Sequence, residues 1–206
     1  MNNKLAQLKH WLALYHIPKL GVRTYHKLLN AFNSPENILS ATDTQLTQAG
    51  LASAPLKSLR SFINSTNSKI TDKINQDLAW FKRSEKNHII TLADASYPPL
   101  LKLIADAPVI LYVKGQLACL LKHQIAMVAS RHPTIAGINH AKAFAKQLSL
   151  SNLVVTSGLA AGIDNASHQG AVAADCSTIA VMGTGIDLIY PSSAKSLATQ
   201  ITQQGA

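Results

Sequence analysis

Arg131 is the only arginine after residue 83. A guanidinium is planar, forked and permanently charged, which suits it to phosphate oxygens. It sits in Val128-Ala129-Ser130-Arg131, after an apolar run and ahead of a predicted helix over 137–150, whose first amides also favour anions. The competing reading is a surface arginine in a turn, or one paired to a carboxylate. A second stretch is Ser157-Gly158-Leu159-Ala160-Ala161-Gly162-Ile163-Asp164, whose small residues let the backbone approach a ligand closely. Asp164 and His168 fall four apart on one helical face. That spacing suits an acid–base pair, but the preferred reading is a carboxylate that caps or starts the helix and a structural hydrogen bond there. The third stretch, Met182-Gly183-Thr184-Gly185, is half of a dinucleotide fingerprint. Leu188 stands where the third glycine belongs, residues 186–191 make a poor helix start, and no acidic residue follows about twenty positions on. The match is weak.

Other chemistries are poorly supplied. Cys119 and Cys176 are the only cysteines and fit neither a disulfide framework nor a metal site. There is no phosphate-loop motif, and no metal or cofactor is expected. Residues 1–85 carry 11 Lys+Arg against 5 Asp+Glu, and residues 86–206 carry 8 against 5. A basic balance favours polyanion partners. No apolar run reaches the roughly 18–20 residues of a membrane span, and the first residues carry no secretory signal. A cytoplasmic protein with no membrane partner is expected.

The elements that must hold these loops follow from periodicity. Helices are predicted over 4–15, where Leu5, Leu8, Leu12 and Tyr15 share one face, and over 22–32. Ser34-Pro35 and Thr42-Asp43 should cap two short helices. Another helix is predicted over 55–63, a polar loop over 64–68, and a helix over 72–86. From residue 88 the pattern changes to strands, 88–92 and 109–113. Three strand–loop–helix units follow, with strands over 125–128, 153–156 and 178–182 and helices over 137–150 and 163–174. Apolar strands alternating with helices indicate a parallel, doubly wound sheet covered on both faces.

Five ordered blocks resemble a known family. Residues 157–164, followed by His168-Gln169-Gly170-Ala171, resemble the signature SGLAxGID…HxGA of the DprA/Smf (DNA-processing protein A) family. Thr178-Ile179-Ala180-Val181-Met182-Gly183-Thr184-Gly185-Ile186-Asp187…Tyr190-Pro191 resembles its block TIAVLGxGxDxxYP. Val128-Ala129-Ser130-Arg131…Thr134…Gly137 is similar to VGSRxxTxYG. Tyr97-Pro98-Pro99-Leu100 and Leu111-Tyr112-Val113-Lys114-Gly115 fit the lead-in YPxxL…LYxxG.

The resemblance implies a Rossmann-like, doubly wound, mostly parallel sheet, here incomplete, over 86–206. A small helical domain of sterile-alpha-motif type over 1–85 would precede it and fold independently. It implies single-stranded DNA (ssDNA) binding without catalysis, protection of incoming DNA, and delivery to the RecA recombinase in natural transformation. It also implies a homodimer for the family. Carried over by motif, Ser130, Arg131, Ser157, Gly158, Gly162, Gly183, Thr184, Gly185 and Lys195 would line the DNA site. Gly158, Gly162 and Gly183 are expected to need close backbone approach or unusual dihedrals. Ala129, Ala136, Ala161 and Ala194 depart from the usual Gly, Tyr, Lys or Arg, and Asn. The family continues with further strands, a PxRNR-like motif and an SGsLxTA segment. Residues 1–206 are therefore expected to leave a strand edge and an apolar helix-docking face exposed. The alternative is a nucleotide-processing enzyme of phosphoribohydrolase type, with Asp164 and Asp187 as candidate carboxylates; its PGGxGTxxE-type motif is missing.

Overall fold

The computed structural model describes residues 2–65 and 68–206. The chain divides into two compact units, residues 1–85 with 89–111, and residues 86–88 with 112–206.

The first unit is largely helical: α1 (Asn2–Tyr15), α2 (Val22–Phe32), α3 (Pro35–Ser40), α4 (Asp43–Gln48), α5 (Ser53–Ile63) and α6 (Ser68–Lys82). The expected caps form. The Ser34 hydroxyl accepts from Asn37 N ahead of Pro35, and Thr42 with Gln45 makes a reciprocal capping box. Each satisfies amides that a helix start leaves unpaired. Leu12, Leu14, Leu28, Ile38 and Leu46 are fully buried. Tyr25 joins them, its hydroxyl donating to Trp11 O at 3.1 Å and its ring 5.8 Å from that of Trp11. Tyr15, placed by periodicity on the core face, is instead 44% exposed and packs edge-on against His16. Trp11 and Leu14 take the buried positions, because α1 turns a wider apolar face inward than an i, i+3, i+4 reading marks.

In the predicted loop 64–68, Asn64 and Ser65 form a turn and Ser68 already belongs to α6. Thr66 and Asn67 lie outside the described residues. The helix predicted over 72–86 ends at Lys82 rather than at residue 86. By then the chain is entering extended pairing: Lys86 O accepts from Gly115 N at 2.8 Å. Strands β1 (Asn87–Thr91) and β2 (Ile110–Lys114) form a separate two-stranded sheet.

The second unit contains β3 (Gln124–Ala126), α7 (Ile135–Leu150), β4 (Val154–Ser157), α8 (Ile163–Val172), β5 (Thr178–Ala180) and α9 (Lys195–Gln204). The sheet order is β3-β4-β5 and both pairings are parallel, with Ile125 opposite Val155 and Thr156 opposite Ile179. Val155 packs against Ala145 of α7 and Ala171 of α8. Gly170 lets these helices meet, since a Cβ there would strike Lys142 O and lie 2.9 Å from the Ala145 Cβ. A second cluster joins Leu159 to Ala194, Leu197, Ala198 and Ile201 around α9.

Coverage of both sheet faces does not extend to β3, whose three residues are all exposed. It is the edge strand, with β4 as its partner in this sheet. The outer side of β5 is engaged. Ala206 N donates to Thr178 O at 3.2 Å, and Ala180 N donates to Ala206 O at 2.8 Å. Among the described residues the open edge is therefore that of β3. Both β3 and β5 are shorter than their apolar runs predict, because their ends diverge into loops.

Candidate nucleic-acid interface

Loops leave the carboxyl ends of β3, β4 and β5, the rim at which parallel α/β sheets hold ligands. In the first, Ser130 and Arg131 are exposed. Ser130 Oγ accepts from His132 N at 3.0 Å. Thr134 closes the loop by capping α7, its hydroxyl accepting from Gly137 N at 3.1 Å. A threonine acceptor at the cap explains why α7 begins at Ile135 rather than at Gly137. It also satisfies one of the amides expected to await an anion, and Arg131 is the exposed guanidinium of this corner.

The second loop is pinned from both sides. Ile163 N donates to Ser130 O at 3.2 Å. Gly162 has φ +87°, and a Cβ there would strike Ser130 O and lie 2.8 Å from Arg131 O. Only glycine accepts both the dihedral and the contact. Asp164, 8% exposed, accepts through Oδ2 from Gly158 N at 3.1 Å and Ala160 N at 3.4 Å. Its carboxylate closes the loop over the start of α8, as the structural reading anticipates. A Cβ on Gly158 would lie 2.8 Å from that same oxygen. Ser157 is buried and its hydroxyl donates to Met127 O at 2.6 Å, so it ties two strand ends together beneath the rim. Leu159 was not singled out by sequence reasoning. It has φ +56° and is fully buried against the α9 cluster. A lone large apolar residue among glycines and alanines was the available signal.

The third loop joins the second where Val181 N donates to Ser157 O at 2.8 Å. Gly183 and Gly185 are exposed, with nothing within 4 Å of a Cβ built on either. Neither has a positive φ of the kind seen at Gly162. The chain's own packing thus requires glycine at 162, whereas at 183 and 185 the space beside the backbone is open. Thr184 Oγ1 donates to Leu188 O at 2.6 Å, which folds the loop on itself. Lys195 is exposed at the start of α9. Ser130, Arg131 and Gly162 are therefore brought together by direct contacts, Gly158 is tied to the same loop through Asp164, and Gly183–Gly185 follow through the Val181 link. Lys195 is positioned through α9, which packs on Leu159.

His168 lies below this rim, fully buried. The Thr178 hydroxyl donates to Val155 O at 2.6 Å and so must accept from His168 Nδ1, 2.8 Å away. That fixes the Nδ1–H tautomer and leaves Nε2 buried without a hydrogen-bond partner. Burial pulls the imidazole pKa down to about 4, with the Asp164 carboxylate and then the Ser157 backbone opposing the drop. His168 bonds Thr178 and Asp164 bonds loop amides, so the hydrogen bond expected at the helix start does not join the two, and each is held by other partners. Among the described residues, no group of three His, Cys, Asp or Glu stands where it could hold a metal, and no helix is long and apolar enough to cross a membrane.

The parallel sheet, its packed helices and the preceding helical part define a Rossmann-like α/β protein with loops gathered at the strand ends. The family model described as DNA recombination-mediator protein A matches residues 88–206, and the chain belongs to that family. It is 32% identical to Protein Smf of Escherichia coli over 201 residues, covering 95% of this chain and 49% of that protein. It is 39% identical to the DNA processing protein DprA of Streptococcus pneumoniae over 120 residues, covering 58% and 42%. The X-ray structure of the S. pneumoniae DprA superposes with a TM-score of 0.74 at 27% identity, over 94% of this chain and 63% of that one. The Helicobacter pylori DNA processing protein A, solved for its single-stranded DNA binding mode, gives a TM-score of 0.50 at 26% identity over 57% and 53%. The chain spans about half the length of the curated relatives it matches, 49% of the E. coli Smf and 50% of the Smf of Synechocystis.

Proposed function

We propose that this chain binds ssDNA along the rim formed by Ser130–Arg131, Gly158–Gly162, Gly183–Gly185 and Lys195. In this reading it acts without catalysis, protecting incoming DNA and helping to load the RecA recombinase during natural transformation, in the cytoplasm. The observation that carries it is Arg131, exposed on a loop whose backbone is locked against Gly162 and Ile163. A fixed cation beside open glycine backbone suits a flexible phosphate chain. The H. pylori relative, a protein whose ssDNA binding is the subject of its structure, supports the same ligand here. Ser157 and Gly162 act by shaping the rim; Ser130, Arg131, Gly183, Gly185 and Lys195 present exposed surface to DNA.

The test is fluorescence anisotropy with a labelled oligothymidylate across a salt series, run beside a nucleotide-hydrolysis assay. Salt-dependent binding without turnover is expected. Turnover without binding would favour a phosphoribohydrolase-type enzyme instead. RecA delivery is tested by RecA filament formation on DNA precoated with single-strand-binding protein, where addition of the protein should shorten the lag.

A further inference from the structure

We infer that Tyr190 is a base-stacking contact of the rim, so that the site reads unpaired nucleobases as well as phosphates. The inference rests on the ssDNA reading and deepens it.

Four of the five tyrosines are used within the chain. Tyr25 and Tyr97 are buried with their hydroxyls donated to Trp11 O and Pro108 O. Tyr15 packs on His16, and Tyr112 is half-buried and also engaged. Tyr190 differs. It is 72% exposed, and its hydroxyl has no partner among the described residues. In sequence it lies between the open Gly183–Gly185 backbone and the exposed Lys195, an aromatic interleaved with groups suited to phosphate.

Its backbone is held on both sides. Before it, Leu188 N donates to Gly185 O at 2.8 Å and Ile189 packs into the α9 cluster. After it, Ala194 N donates to Pro191 O at 3.0 Å and Ala194 is buried. An aromatic ring displayed from an anchored backbone has only two side-chain torsions to order on binding. Leu188 and Val181, each 63% exposed, add apolar surface on the same loop. A solvent-facing ring gains by covering a nucleobase, and such stacking tolerates any base but requires that it be unpaired. Tyr190 would thus favour single-stranded over duplex DNA.

The experiment compares the full chain with Tyr190→Ala and Tyr190→Phe on oligothymidylate and on an abasic oligonucleotide of equal length. Tyr190→Ala should weaken oligothymidylate binding by about 5- to 150-fold, the range for losing one stacked base, with an unchanged salt slope. Tyr190→Phe should retain most of the affinity. On the abasic strand the two variants and the parent chain should bind alike. Equal oligothymidylate affinity for the parent and Tyr190→Ala, or equal loss on both strands, would overturn the stacking role alone. If the parent chain binds neither strand, the ssDNA reading falls and this inference with it.

Discussion

Gly162 turns its Cα toward the Arg131 carbonyl so closely that a Cβ built on it would lie 2.8 Å from that oxygen. The two residues belong to loops after different strands, and this approach sets where the Arg131 side chain begins. Gly162→Ala should therefore affect folding and binding together. A non-glycine residue held at positive φ costs about 1–3 kcal/mol, and relief by backbone movement would displace Arg131. Urea melts should show a loss of that order, with weaker ssDNA binding by the protein that remains folded. Binding at the parent level would separate the glycine from the site.

Arg131→Ala leaves the loop backbone intact and removes the charge. Affinity for ssDNA should fall by about 1.5–3 kcal/mol, as for a charge-assisted hydrogen bond. The slope of log K against log salt should shrink by about 0.7, the single-strand value for one phosphate contact. An unchanged slope in a folded variant would remove Arg131 from the DNA contact.

Gly170→Ala is the structural counterpart. Its Cβ would be driven into Lys142 O and the Ala145 side chain, forcing α7 and α8 apart. Overpacking of this kind costs about 1–3 kcal/mol. The thermal midpoint should drop while the folded protein keeps its DNA affinity, since the clash falls at Lys142 and Ala145, away from the helix starts that hold the rim loops. A variant as stable as the parent would mean that the two helices part without cost.

His168 makes stability depend on pH. Its folded pKa of about 4 lies below the ordinary histidine value of about 6.5. Between those values the unfolded chain takes up a proton that the folded chain refuses. The stabilisation is thus complete above about pH 6.5 and is lost as pH falls toward 4, by about 3 kcal/mol in all. His168→Asn can keep a donor near the Thr178 hydroxyl without titrating. Urea melts over this range should show a steeper pH dependence for the parent than for the variant, and matching slopes would refute the assignment.

The loops were legible because their composition is unusual: glycines and alanines after apolar runs, with one arginine among them. The caps at Ser34 and Thr42 were equally plain, since a cap is a contact between residues three apart. What Ser157, Leu159 and Thr184 do was not legible. Each commits its side chain to a partner, respectively Met127 O, the α9 cluster and Leu188 O, and only at Thr184 is that partner local in sequence.

Sequence alone determined the alternation of strands and helices from residue 125 onward, and hence a parallel sheet with its loops gathered at the strand ends. Period and turn chemistry are local properties that the residues carry with them. Tertiary structure alone decided that β3 is the exposed edge and that Gly162 abuts Arg131. It also decided that His168 is sealed under the rim as a neutral Nδ1–H tautomer. These depend on which distant segments meet, and desolvation, register and backbone contact exist only once they have met.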